Sequence, residues 1–190
     1  ATMNAIDVFS ELHRWVNSEL WGEGGLMQLY GADAVFLVDV RDDADNYCGW
    51  ANIDTKEGLL NKDSSNSFGL IRLGRGCGTT AAILAHELGH LLGSAHGNED
   101  TLTASSSLGH GVVCDDQSTI MHRGFPKHLL FSNPLLLRGG QTCGDTVHAN
   151  NAKLFGENTA LLANKQTYQT PSSDVSLILT DSYRSPTQPA

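Results

Sequence analysis

Apolar residues recur at helical spacing near the start of the chain. Ala5-Ile6, Val8-Phe9, Leu12, Trp15-Val16 and Leu20 share one face of a helix predicted from about Asn4 to Leu20. Gly22, Gly24 and Gly25 end it, and a short helical piece is expected around Leu26–Tyr30. The pattern then changes. Ala34-Val35-Phe36-Leu37-Val38 is an unbroken apolar run, which reads as a strand buried on both faces. Gly49–Ile53 and Phe68–Leu73 read as two more strands. Gly74, Gly76 and Gly78 lead into a second helix, which Thr79 is placed to cap. From His96 to Ser118 the chain is rich in Ser, Gly and Asp and reads as one long loop. Val147, Leu154-Phe155 and Leu161-Leu162 predict an amphipathic helix within Asp145–Gln166. Thr167–Ala190 is Ser-, Thr- and Pro-rich with one apolar run at Val175–Leu179. The expected organisation is one domain over residues 1–166 and a tail or linker over 167–190.

The second helix carries the chemistry. His86-Glu87-Leu88-Gly89-His90-Leu91-Leu92-Gly93-Ser94-Ala95-His96 has the form H-E-x-x-H-x-x-G-x-x-H. His86 and His90 are four apart, so on a helix both imidazoles leave the same face and can chelate one ion. Gly93 lets the chain turn sharply out of the helix, because glycine adopts φ > 0 without a Cβ clash. The turn returns His96 as a third nitrogen ligand. Three nitrogens leave a fourth tetrahedral position open to water, the pattern of a catalytic zinc site rather than a closed structural one. Glu87 is placed to reach that water and not the metal. A chance match in a chain of this size is on the order of 1 in 100,000, which disfavours an ordinary amphipathic helix. Thr119-Ile120-Met121-His122 follows, with Met121 expected as an apolar floor under the three histidines.

Composition narrows the partners. The formal net charge is −9, and Lys and Arg form no basic stripe, so nucleic acid is not expected. No apolar stretch approaches the ~20 residues of a membrane span. Ala1-Thr2-Met3-Asn4 has neither a basic flank nor an apolar core, so no signal peptide is read there; an exported protein would be a processed or trimmed form. The four cysteines allow three pairings, none through C-x-x-C. Cys48–Cys77 and Cys114–Cys143 are expected because each pair brackets a loop-rich stretch. An even count beside a protease-type zinc motif points to an oxidising compartment. Asp42, Asp43 and Asp45 mark an acidic loop that could take Ca²⁺, although the spacing fits a solvated loop better. His110, His122, His128 and His148 read as surface or hydrogen-bonded histidines, not ligands.

Further segments fall in a consistent order: Tyr30-Gly31-Ala32-Asp33-Ala34-Val35, Tyr47-Cys48-Gly49, Ala85–His96, Thr119-Ile120-Met121, Phe131-Ser132-Asn133-Pro134 and Asn150-Asn151-Ala152-Lys153. Over about residues 25–165 the chain resembles the bacterial reprolysin-like metzincins, most of all the peptidyl-Asp metalloendopeptidase type. The resemblance implies an α/β (α+β) fold, a metzincin-like zincin with a mixed twisted sheet, a zinc helix and a small C-terminal subdomain. It implies a secreted or surface zinc endopeptidase, extracellular or periplasmic, with ligands His86, His90 and His96 and base Glu87. Three departures stand out. Gly97 replaces the usual acidic residue after the third histidine. His122-Arg123-Gly124 follows Met121 where an aromatic is usual. The strand, helix and strand that normally open the domain have no counterpart, so a preceding segment or a partner chain would complete the sheet.

The expected reaction is hydrolysis of peptide bonds in a protein or peptide substrate. Zinc-bound water attacks the carbonyl, Glu87 takes its proton as general base, and the proton passes to the leaving amine. Substrate is expected to pair as an added edge strand along Phe68–Leu73, with Phe68, Leu70, Arg123 and Phe125 lining its site. The resemblance implies that Arg123 would receive a substrate carboxylate; the alternative is that Arg123 and Lys127 are solvated and the pocket is apolar around Phe125. The alternative is a zinc-binding toxin-subunit or interaction domain with dormant or partner-dependent activity, against which the presence of Glu87 argues.

Overall fold

The structure is a computed structural model and describes residues 27, 30–39, 47–56, 59–61, 67–73, 78–98, 104–124 and 128–164. Among the described residues the fold is mixed α/β, with small sheets and two full-length helices, in line with the metzincin-like fold expected. The helix expected over Asn4–Leu20, the acidic loop Arg41–Asn46 and the segment 167–190 lie outside the described residues. Met27 and Tyr30 are helical, in line with the short piece expected there.

Among the described residues the principal sheet has three strands. β1 (Val35–Asp39) runs parallel to β5 (Phe68–Arg72), and β2 (Gly49–Ala51) lies antiparallel on the other side of β5. The central strand is therefore β5, and all five of its residues are buried. Its apolar run is continuous because neither face meets water. β1 departs from expectation. It was read as buried on both faces, yet Leu37 and Val38 are 37% and 52% exposed. Among the described residues it stands at the edge of the sheet, so an apolar run alone did not report its place. At the far end of the β1–β5 pair, Arg72 meets Asp39 at 3.3 Å, both nearly buried.

α1 (Thr80–Leu91) packs across β5 and β2. Thr79 caps it as expected, its hydroxyl accepting from the Ala82 N–H at 3.3 Å. Ile83 meets Ile71 and Phe36 near the start of the helix. Leu91 and Leu92 meet Leu60 and Leu162 near its end. Leu162 belongs to α2 (Asn151–Leu162), so one apolar cluster joins both helices to the short pair β3 (Thr55–Lys56) and β4 (Leu59–Leu60). α2 begins later than its periodicity suggested. The Asp145 carboxylate accepts from the Val147 and His148 N–H groups in a side-chain turn, and Asn150 then caps the helix through the Lys153 N–H.

The stretch read as a long loop after His96 contains ordered strands. β6 (Val113–Cys114) and β7 (Gln117–Ser118) form a hairpin, as do β8 (Asn133–Arg138) and β9 (Gln141–Cys143). Their two-residue turns are Asp115-Asp116 and Gly139-Gly140, all with positive φ. That is the turn chemistry that matches strand twist, and it was visible in the sequence. The Cys114–Cys143 disulfide staples the two hairpins together, as expected. Cys48 is also disulfide-bonded; Cys77, its expected partner, lies outside the described residues.

Candidate metal centre

α1 sets the first two ligands. His86 and His90 leave its final turns with ring centroids 4.8 Å apart. Gly93, at φ +92°, turns the chain where an L side chain is strained, and a Cβ there would strike Ser105 Oγ. The turn brings His96 back to within 5.1 Å of His86 and 4.8 Å of His90, centroid to centroid. One nitrogen from each ring lies within 4.8 Å of the others, and among the described residues this is the group of three able to hold a metal ion. His110, His122, His128 and His148 stand outside it. His128 instead bonds the Cys114 carbonyl.

The outward nitrogens decide which ring atoms face the centre. His86 Nδ1 meets the Ile120 carbonyl at 2.7 Å, and His90 Nδ1 meets the Ser94 carbonyl at 2.7 Å. A carbonyl only accepts, so both Nδ1 atoms carry the proton and both Nε2 lone pairs face inward. His96 differs. Its Nδ1 accepts from Arg123 Nε at 3.1 Å, and its Nε2 lies 3.2 Å from His90 Nε2. A set of three imidazoles in this arrangement fits zinc, and the histidine cluster fits a zinc site.

Glu87 stands beside the ligands, 4% exposed. Its Oε2 is buried without a hydrogen-bond partner, and burial pushes its carboxyl up to about 8. Gly49 on β2 makes room for it: a Cβ at 49 would lie 2.3 Å from Glu87 Oε1. Below the helix, Met121 is fully buried, and a Cβ on Gly89 would lie 2.2 Å from its sulfur. Met121 thus packs against the helix between the two ligand residues. The spacing of the motif signalled the histidines; nothing local in the sequence signalled that Gly49 and Gly89 serve as contact points.

The substrate side needs correction. Phe68 and Leu70 are 0% and 2% exposed in β5, whose two edges are already paired with β1 and β2. No added strand can hydrogen-bond there. The edge of this sheet nearest Glu87 is the outer side of β2, which pairs with no other strand among the described residues. Arg123 is exposed and engaged with His96, and Phe125 lies outside the described residues.

Sequence comparison gives an independent line. No curated protein and no solved structure matched the chain. Residues 4–97 match the model of a family described as metallo-peptidase family M12B, reprolysin-like. The match spans the first helix pattern, the sheet and the whole histidine motif, and so supports a metallopeptidase: over residues 4–97 this chain is similar to the reprolysin-like M12B enzymes.

Proposed function

We propose that this protein is a secreted zinc-dependent endopeptidase of protein substrates. The observation that carries the reading is the pairing of three convergent imidazoles with a buried carboxylate whose Oε2 has no hydrogen-bond partner. His86, His90 and His96 would hold the ion. Zinc bound there supplies Lewis acidity to water and to the scissile carbonyl. Glu87 takes the proton of the attacking water and hands it to the leaving amine. Its position supports that role, since it is buried beside the ligand helix's histidines with one oxygen unpartnered. Gly49 puts the outer edge of β2 beside Glu87, which supports an extended substrate adding to that edge.

Arg123, exposed next to His96, is the candidate for a substrate carboxylate of the peptidyl-Asp type, by releasing His96 or using its remaining donors. The catalytic unit would span residues 1–166, with 167–190 as tail or linker. The Cys114–Cys143 disulfide supports an extracellular or periplasmic site of action, and no described helix is long and apolar enough to cross a membrane.

The test is a denatured protein substrate incubated with purified chain. Cleavage should stop with a chelator and return with zinc. Glu87→Ala should be slower by at least about a thousandfold while still binding about one zinc per chain. Cleavage that persists in chelator, or an active Glu87→Ala variant, would overturn the reading.

A further inference from the structure

Two sequence segments singled out above have no part in the proposed chemistry: Phe131-Ser132-Asn133-Pro134 and Asn150-Asn151-Ala152-Lys153. They meet in the interior. Ser132 Oγ accepts from the Asn151 N–H at 3.0 Å and donates to the His110 carbonyl at 2.7 Å. The Ser132 carbonyl accepts from the Ala152 N–H at 3.1 Å, and the Phe131 ring stands edge-on to Phe155 of α2 at 4.7 Å. The start of α2 is thereby seated, and its first residue points at the metal centre's supporting turn.

That residue is Asn151. Its Oδ1 lies 2.9 Å from Ser94 Oγ, whose hydroxyl also lies 2.9 Å from the Gly109 carbonyl. Ser94 is the residue whose own carbonyl holds His90 Nδ1 at 2.7 Å. Ser94, Ser132 and Asn151 are each 0% exposed, and His90 is 5% exposed. The path from α2 to a metal ligand therefore runs Asn151, Ser94, His90 through directional bonds out of contact with water. Asn151 Nδ2 is buried with no hydrogen-bond partner. An amide is a costly way to fill that space, unless its oxygen has a task.

Resting on the zinc reading above, we propose that Asn151, seated by Ser132, is a positioning residue that fixes the Ser94 carbonyl and through it the ring of His90. Deleting an outer partner of a ligating histidine commonly weakens metal binding by about 10- to 100-fold. Asn158 provides the contrast. It is also on α2 and buried, and it donates to the Leu92 carbonyl and to Ser105 Oγ, so it ties the same helix to the same turn without touching Ser94.

The experiment measures zinc affinity by competition with a chromophoric chelator, and the visible spectrum of the cobalt(II)-loaded protein, at a temperature where every variant is folded by circular dichroism. Asn151→Ala should bind zinc about 10- to 100-fold more weakly and shift the cobalt bands. Ser94→Ala, which removes the same bond by deleting one oxygen, should do likewise, and the double variant should lose no more than the worse single. If Asn151→Ala fails to fold, Ser94→Ala carries the test. Asn158→Ala should lower the melting temperature yet leave affinity and spectrum unchanged. Asn151→Ala and Ser94→Ala proteins that load as tightly as wild type overturn the inference, as does an Asn158→Ala variant that weakens zinc equally. A wild-type protein that binds no zinc overturns the proposed function itself.

Discussion

Phe68, Leu70 and Ile71 of the central strand and Ile83 and Leu91 of α1 are buried, and Ile71 packs on Ile83 between the main sheet and the helix. Around the turn at Gly93 and beyond it, buried polar side chains, Ser94, Ser105, Ser118, Thr119, Ser132, Asn151 and Asn158, are interleaved with apolar ones such as Ile120, Met121, Leu154 and the Cys114–Cys143 bridge. The two regions solve different problems. Apolar packing is strong and non-directional, so it gives the sheet and helix a stable seat. Hydrogen bonds fix angles, so they suit the segment that must hold three rings about a single point. The metal centre lies on the seam: the sheet side brings His86, His90 and Glu87 on a rigid helix, and the polar side supplies the Ile120 carbonyl and the Arg123 and Asn151 contacts.

The comparison can be broken most forcefully in the apolar half. Phe68→Ala removes a fully buried side chain at the start of β5 and should cost about 3–5 kcal/mol in chemical denaturation, lowering the stability of the whole protein. A loss below about 1 kcal/mol would mean that the sheet is not the main store of stability.

On the polar side, Cys114→Ser with Cys143→Ser removes a bridge between residues 29 apart and should cost about 2–4 kcal/mol. The paired substitution is preferable to a reductant, because Cys48 is also in a disulfide. Urea midpoints with and without zinc would show whether the hairpins need the bridge once the ion is bound. A variant as stable as the parent without zinc would shift the burden to the hydrogen bonds.

The seam itself has a pH signature in metal-free protein. Burial raises the Glu87 carboxyl from its ordinary 4.5 to about 8, so between these values the folded state holds a proton that the unfolded state has lost. The contribution of Glu87 to stability must then fall as pH rises from about 4.5, and level off above about 8. Glu87→Gln lacks the titration. Its advantage over the parent should grow across that window by up to about 5 kcal/mol. A difference that is flat with pH would show that Glu87 is solvated.

The smallest expected effect is at Gly89. A Cβ there would press on the Met121 sulfur, and a thioether can partly yield, so Gly89→Ala should cost about 1–2 kcal/mol. Met121→Ala in the same chain should recover part of the loss in a thermal melt if the contact is the cause.

Much of the site was legible in the chain because it is local. The i, i+4 spacing of His86 and His90, the positive-φ turn at Gly93 and the cap at Thr79 all follow from helix geometry over a few residues. Misreadings came where local pattern carries no information about neighbours. Val35–Val38 and Phe68–Ile71 are similar apolar runs, yet one lies at an edge and the other at the centre. That choice moved the expected substrate edge from β5 to β2. The hairpins after His96 were missed although Asp115-Asp116 and Gly139-Gly140 are turn pairs, because their strands are short and lack alternation.

What the sequence named by itself was the candidate site: three histidines and a carboxylate, by spacing along a helix and its exit, and a methionine from a motif further on. What only the tertiary structure decided was which groups surround them. Gly49 against Glu87, Ile120 on His86 and Asn151 on Ser94 join residues 38, 34 and 57 positions apart. Helical spacing is set by covalent geometry and repeats every few residues. Such distant contacts depend on strand order and on how helices pack, and these are settled by the whole chain at once.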